Sequence, residues 1–392
     1  MNKKQYNHMK VGIFGQGLVA THFAVGLERL KEGEIEPHGV PLADVDLPIK
    51  FEDIEIAAAY DVDPSKVGRT VYDIAREVMP PTIEIPRSLK DVEVREGVHL
   101  GSMKNIRNEV LGLERNLELE QAAGELADQW KSLDIDVFIN VITTEPSRPF
   151  DTSAQILEAV QENRVQRLSA TQFYAYAVSQ YSKARGGAAF VNGIPVFIAN
   201  DPAFVDLYAE SKGVVFGDDG ATGATPLTTD LLEHLKQRNR YVRYIAQFNI
   251  GGNTDFLALS IPERNVAKEH TKSSIVKDIL GYEAPHYIKP TGFLEPIGDR
   301  KFVAMDLEYL SFNDFVDEIV VIMRVNDSPA FAGLLVDLAR LGKIALDAGA
   351  YGTLYEVNAF FMKKPGPGNA KAIARIQAYY RLLDWLKSKK II

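Results

Sequence analysis

The chain has 392 residues, 46% hydrophobic and 25% charged, a globular composition long enough for two domains of ordinary size. Its 44 Lys and Arg against 53 Asp and Glu give a net charge of −9, which argues against a nucleic-acid scaffold because phosphate binding needs a basic footprint. With no cysteine in the sequence, disulfides, zinc-thiolate sites, iron–sulfur clusters and thiol nucleophiles are excluded.

The start is basic, but the first apolar segment, Val11-Gly12-Ile13-Phe14, stops at a glycine, so a secretory signal is not expected. No stretch approaches the roughly 20 apolar residues of a membrane helix. The expectation is a soluble, cytoplasmic protein. Residues 10–30 read as strand, glycine turn and helix, with Phe23, Ala24, Leu27 and Leu30 at helical spacing. Residues 31–53, rich in Pro, Gly and acids, read as a surface excursion. A second strand over 54–60 ends at the turn signal Asp61-Val62-Asp63-Pro64. A helix around 118–132 and a buried strand over 136–141 follow, then further strands at 189–192 and 214–216. Strands alternating with helices imply an α/β fold on a parallel, doubly wound sheet.

The character changes near Tyr241. Residues 241–250 are extended, 256–260 and 302–310 read as further strands, and one helix lies at 266–280. The expectation is a smaller α+β insert over 241–310, with 1–240 and 311–392 forming the first domain. Asp327-Ser328-Pro329 marks a helix start, and the helix over 330–345 is apolar nearly all round, as buried helices are. An amphipathic tail helix over 370–389 follows the Pro365-Gly366-Pro367-Gly368 breaker.

Gly15-x-Gly17-x-x-Ala20 sits between a strand and a helix, the context that the dinucleotide fingerprint of Rossmann-like domains requires. Gly15, Gln16, Gly17, Leu18 and Val19 would then approach a pyrophosphate. Asp61, at the end of the second strand, would receive the ribose hydroxyls. It lies beyond the usual spacing of about 20 residues because of the 31–53 excursion, and an acid there favours NAD over NADP. The other reading is a tight turn with no ligand.

On a helix at about 100° per residue, Lys268 and Lys272 fall on the apolar stripe of Ile275 and Ile279, with Lys277 opposite. Two ammonium groups on a burying face either serve a site, where crowding lowers a pKa toward usable acid–base chemistry, or snorkel from a fraying helix start. Residues 217–225 (Gly217-Asp218-Asp219-Gly220-Ala221-Thr222-Gly223-Ala224-Thr225) suit an anion nest or a flexible connector. Asn140, Thr143 and Thr144 follow a buried strand, at a ligand-binding strand end or an ordinary cap. The seven His show no metal-ligand spacing and read as structural or surface residues.

Taken in order, these motifs resemble the inositol-3-phosphate synthases, also called myo-inositol-1-phosphate synthases. The resemblance runs through Asn249-Ile250-Gly251-Gly252-Asn253-Thr254-Asp255, the segment 267–273, Gly298-Asp299-Arg300-Lys301, Asn326-Asp327-Ser328 and Phe361-Met362-Lys363-Lys364-Pro365. It implies a redox-neutral isomerase with tightly held NAD that turns glucose 6-phosphate into an inositol phosphate. The same resemblance makes Lys268 and Lys363 the proton-transfer pair near carbon 5. It sets Lys272 and Lys301 near the phosphate and carbon 1, and Asp219 and Asp327 near the nicotinamide and the lysines. Thr222, Gly223, Ala224, Thr225 and Asn253 correspond to the phosphate subsite. Similar proteins are tetramers built through the insert, and they differ in needing a divalent or a monovalent cation, which Asp219 and Asp327 would help to hold.

The chain departs from the family pattern at three places. Ala221 stands where some members have Lys. An extra residue between Lys301 and Asp306 leaves open whether Lys301 points inward or needs a bulge. Arg238 and Arg240 serve either the phosphate or the surface. The alternatives are an NAD-dependent dehydrogenase that releases NADH, a related isomerase acting on another sugar phosphate, and a non-catalytic NAD-binding regulator.

Overall fold

A computed structural model describes residues 8–261 and 275–392 of the chain. In chain order the first part runs β1 (Met9–Phe14), α1 (Leu18–Lys31), β2 (Ile54–Asp61), α2 (Val71–Val78), β3 (Val94–Glu96), α3 (Leu119–Leu133) and β4 (Val137–Asn140). It continues with α4 (Ser153–Gln161), α5 (Ala170–Arg185), β5 (Ala189–Asn192), α6 (Pro202–Glu210), β6 (Val214–Phe216) and α7 (Ala224–Gln237). The strands make one parallel sheet in the order β3-β2-β1-β4-β5-β6, which places the reversal of strand order between β1 and β4.

Both faces of this sheet are covered, so β4, β5 and the edge strand β6 are buried throughout. Alternate residues feed two separate cores. Val11, Ile13, Val137, Ile139 and Val191 pack with α1 and a long late helix on one side. Phe14, Phe138, Phe190 and Val215 pack with α3, α5 and α6 on the other. There Phe14 stacks on Tyr174 with ring centres 4.0 Å apart and lies against Trp130.

The second part holds β7 (Tyr241–Gly251), α8 (Thr254–Leu259), α9 (Ile275–Leu280), β8 (His286–Phe293), β9 (Arg300–Leu310) and β10 (Val316–Asn326). These strands form a four-stranded sheet in the order β10-β9-β7-β8, antiparallel except for β7 with β8. One face, carrying Val303, Met305, Leu307 and Tyr309, packs on α7 and α9. The chain then returns through α10 (Asp327–Asp347), α11 (Tyr355–Phe361) and α12 (Arg375–Ser388). Among the described residues no helix is long and apolar enough to cross a membrane.

Four segments differ from the sequence expectation. Residues 256–260, read as a strand, belong to α8: Asn253 caps it by accepting the Phe256 amide at 3.1 Å, and Phe256 and Leu259 bury one face at helical spacing. The second sheet runs on through β10 to Asn326, past residue 310, because β10 pairs antiparallel with β9 along its whole length, alternating half-buried and exposed positions. The tail helix starts at Arg375 rather than 370. The 31–53 excursion is strapped to α10 rather than lying loose: Leu42, Leu47 and Ile49 are buried, Asp337 accepts the Leu42 amide, and Arg340 donates to the carbonyls of Leu42 and Ile49. Its apolar residues are too widely spaced to show a period. Of the helix expected at 266–280, residues 275–280 are helical and the rest lies outside the described residues.

Candidate active site

A cleft of about 490 Å³ opens at the carboxyl ends of the parallel strands, over the β1–β4 reversal, where ligands bind in sheets of this kind. One end is built by the β1–α1 turn. Gly15 has φ +90°, and a Cβ on it would sit 2.8 Å from the backbone of Ile142; the space around Gly17 is open. Gly17 is the N-cap of α1 and supplies no side-chain cap, so the first-turn amides, which lack intrahelical partners, are available to an anion. Gly15, Gly17, Leu18 and Val19 all line the cleft. Gln16 turns inward, fully buried, donating to the Thr21 hydroxyl at 3.2 Å.

Asp61 ends β2 beside this turn and accepts the Gln16 amide at 2.9 Å. It also accepts the amides of Val62 and Asp63 and the Lys66 ammonium. These residues fit a dinucleotide: a tight turn, an unencumbered glycine, a helix N-terminus and a carboxylate at the end of the next strand.

The other end of the cleft is lined by Asp219, Thr222, Asn253, Lys301, Asp327 and Lys363. A short backbone ladder brings the first and last of these together: Gly220 pairs with Met362, the Ala221 amide donates to the Phe361 carbonyl at 2.8 Å, and the Lys363 amide to the Asp219 carbonyl at 2.9 Å. The Lys363 ammonium then donates to Asp219 Oδ1 at 2.7 Å, with both side chains buried. Lys301 reaches the cleft from the start of β9, 3.8 Å from Asp327 and above the Phe256 ring. The β9–β10 register is unbroken, so no bulge is needed. Lys301 shares the strand face of Val303 and Met305, and five residues of alternation put Asp306 on the opposite one. Asp327 also accepts from the Thr222 hydroxyl at 3.3 Å.

The remaining expected residues fall around these. Thr143 and Thr144 line the cleft, and the Thr144 hydroxyl donates to Asp255 at 2.6 Å. Asn140 lies below, buried, donating to Asn192 at 2.9 Å. Gly223 abuts the Lys301 side chain, while Ala224 and Thr225 are buried in the first turn of α7. Arg238 and Arg240 do not line the cleft; the first bonds the His234 carbonyl on the surface and the second stacks on Tyr309. Lys268 and Lys272 lie outside the described residues. Of the stripe they were read with, Ile275 and Ile279 are buried and Lys277 is exposed. Among the described residues no group of three or more His, Asp and Glu is placed to hold a metal.

Three contributors were not singled out from sequence. Asp299 caps α10, accepting from the Ser328 amide and hydroxyl at 2.8 and 2.7 Å and from Asn253 at 3.0 Å, which fixes Asp327 in the cleft. Lys66 and Arg107 line the ribose end; of these only Lys66, five residues after Asp61, lay near a recognised motif. Beneath Asp219, the buried Asp218 accepts from Asn192, Asn200 and the amides of Ile198, Ala199 and Asn200. Burial pushes its carboxyl up to about 6, against those hydrogen bonds.

Comparison with known proteins identifies the family. The description of the myo-inositol-1-phosphate synthase family matches residues 223–328. A crystal structure of a myo-inositol-1-phosphate synthase-related protein from Thermotoga maritima is 56% identical, covering 97% of this chain and 99% of that one, with a TM-score of 0.92. The inositol-3-phosphate synthase of Mycobacterium tuberculosis is 27% identical over 94% of both chains. The inositol-3-phosphate synthase of Caenorhabditis elegans shares the fold at 16% identity, with a TM-score of 0.78 over 98% of this chain and 86% of that one. This chain belongs to the myo-inositol-1-phosphate synthase family.

Proposed function

We propose that the chain is an NAD-dependent isomerase converting D-glucose 6-phosphate to 1D-myo-inositol 3-phosphate by oxidation, enolisation, intramolecular aldol closure and reduction. The observation that carries this reading is the buried Lys363–Asp219 pair, set in one cleft with Lys301–Asp327 and opposite a dinucleotide turn. A dehydrogenase that only moves hydride has no need of so many fixed ammonium groups.

NAD, when bound, accepts a hydride and later returns it. Gly15, Gly17, Leu18 and Val19 would hold its pyrophosphate, and Asp61 together with the Lys66 ammonium bonded to it would meet its adenosine ribose. Lys363 holds a proton at Nζ in a water-poor wall, where a fixed cation stabilises an oxyanion far better than water does. Asp219 holds that ammonium in place at 2.7 Å. Lys268 is its proposed partner in proton transfer. Lys301, backed by the Phe256 ring, supplies a positioned charge for the phosphate beside Thr222 and Asn253, and Lys272, Gly223, Ala224 and Thr225 are proposed to contribute to the same subsite. The Ala221 amide is taken by the Phe361 carbonyl, so this position helps to hold the Asp219 ladder.

We also propose a homotetramer joined through the second sheet. The support is the open face and edge of β10, where Val316, Val320 and Ile322 are half or more exposed, next to Phe312 and Phe315. Light scattering on the purified chain tests it; a monomer at micromolar concentration counts against it.

The reaction is tested by phosphorus NMR of the protein with glucose 6-phosphate and NAD, with magnesium or potassium added in parallel. The expected result is inositol phosphate without accumulated NADH. Unchanged substrate across cations, with NAD bound, would turn attention to another sugar phosphate. Accumulating NADH would identify an ordinary dehydrogenase.

A further inference from the structure

The acid at the end of β2 predicts NAD over NADP when read as sequence, because a 2′-phosphate would face a carboxylate. The structure changes the charge at that place. Asp61 has about four lone-pair positions, and the chain itself supplies four donors. Oδ1 accepts the amides of Val62 at 2.8 Å and Asp63 at 3.0 Å. Oδ2 accepts the Gln16 amide at 2.9 Å and the Lys66 ammonium at 3.0 Å. Three of these donors are backbone and fixed. The fourth is the end of a long side chain, partly exposed and part of the cleft lining.

A second carboxylate beside it is matched in the same way. Asp63 is 2.8 Å from the Arg107 guanidinium and 4.0 Å from Lys66, and Arg107 also lines the cleft. Burial pushes the Asp63 carboxyl up, but bonds from Ser65 and the charges of Arg107 and Lys66 outweigh this and hold it below its ordinary value. The ribose end therefore carries two carboxylates against two cations, rather than a lone acid. An ammonium has three N–H donors, so Lys66 can keep one on Asp61 and turn another to whatever occupies the 2′ position.

Building on the dinucleotide reading above, we propose that Lys66, supported by Arg107, is the residue that reads the ribose 2′ position, and that it lets this cleft accept NADP as well as NAD. A 2′-hydroxyl can accept from the ammonium in place of the full Asp61 carboxylate. A 2′-phosphate, with about 1.5 to 2 negative charges, gains a charge-assisted bond there and meets no net negative field. Removing the ammonium leaves Asp61 exposed to the 2′ position and restores discrimination against the phosphate.

The test is binding, not turnover. The full chain, stripped of nucleotide with charcoal, is titrated with NADH by fluorescence, and NAD or NADP is used to displace it. NADP is expected to bind within about tenfold of NAD, and Lys66→Met to raise the NADP-to-NAD ratio of dissociation constants at least about fivefold, with Lys66→Arg keeping the wild-type ratio. A wild-type ratio above tenfold, or a smaller rise in Lys66→Met, overturns the proposal while leaving the NAD reading intact. Failure of both nucleotides to bind overturns both.

Discussion

Lys363 and Asp219 stand 144 residues apart in the chain and meet at 2.7 Å, ammonium to carboxylate, in the wall of the cleft. The contact is set by backbone before side chains: Gly220 and Met362 bridge, and the two residues share an amide-to-carbonyl bond as well as the ion pair. The charge geometry is thus tied to the junction between the end of the parallel sheet and the return from α11. Any change that opens that ladder should be read in turnover before it is read in cofactor binding.

Lys363→Met is expected to lower kcat by about a hundredfold or more, the usual size of a lost proton-transfer group. Dissociation constants for NADH should stay within about threefold, since the glycine turn is untouched. The substitution also takes a cation away from a buried carboxylate, at a cost of up to about 3–5 kcal/mol, so assays belong well below the melting temperature. Asp219→Asn, which keeps the shape, separates the two effects. A kcat near wild type in a folded Lys363→Met chain would remove Lys363 from the mechanism.

Lys301→Ala tests the other pair. Its ammonium is a positioned charge between Asp327 and the Phe256 ring, and a lost hydrogen bond to a charged group is worth about 1.5–3 kcal/mol. The KM for the sugar phosphate should rise by roughly 10- to 100-fold, with Lys301→Arg intermediate. Steady-state kinetics decide it; an unchanged KM places the phosphate elsewhere.

Much of this was legible beforehand, and the reasons differ by residue. The glycine turn and Asp61 were readable because Gly15 and Gly17 serve backbone demands that few other residues meet. Lys363 and Asp219 followed from motif order, not from any local period. What escaped was contact made across elements. Asp299 stood in the Gly298-Asp299-Arg300-Lys301 motif with no role of its own, yet it caps α10 and holds Asn253. Residues 256–260 looked like a strand because five residues give neither period a clear advantage, and the Asn253 cap decided for a helix. The 31–53 strap hides its buried Leu42, Leu47 and Ile49 among prolines and acids.

Gly220→Ala should disturb the site from behind. A Cβ there would lie 2.2 Å from the Phe331 ring of α10, closer than packing permits, and overpacking of this kind costs about 1–3 kcal/mol. The same push displaces the ladder that sets Asp219, so kcat should fall along with the melting temperature. Phe331→Leu in the same chain should recover part of both, because the two positions are in contact and their effects are not additive. Equal losses in the single and double variants would mean that Phe331 is not what the new methyl group meets.

The Asp218 carboxyl gives a pH signature with a definite sign. Buried under Asp219, it is pushed up to about 6 from an ordinary value of 3.8. Between those values the folded chain holds the proton more tightly than the unfolded chain, so this group's contribution is complete below about pH 4 and is lost as pH rises through about 6, a span worth about 3 kcal/mol at most. The comparison needed is wild type against Asp218→Asn, which cancels the other buried acids. The asparagine keeps one acceptor, but its NH2 group must face either the Ala199 amide or those of Ile198 and Asn200, so the variant is the less stable of the two at acid pH. Its disadvantage should narrow between pH 4.5 and 7.5 as the wild-type carboxyl pays its burial on ionising. Calorimetric melting at the two pH values reads this directly. A gap that widens with pH would mean that the five donors around Asp218 outweigh burial and hold the carboxylate charged, and the loop under Asp219 would then be an anion cradle rather than a site that prefers the proton.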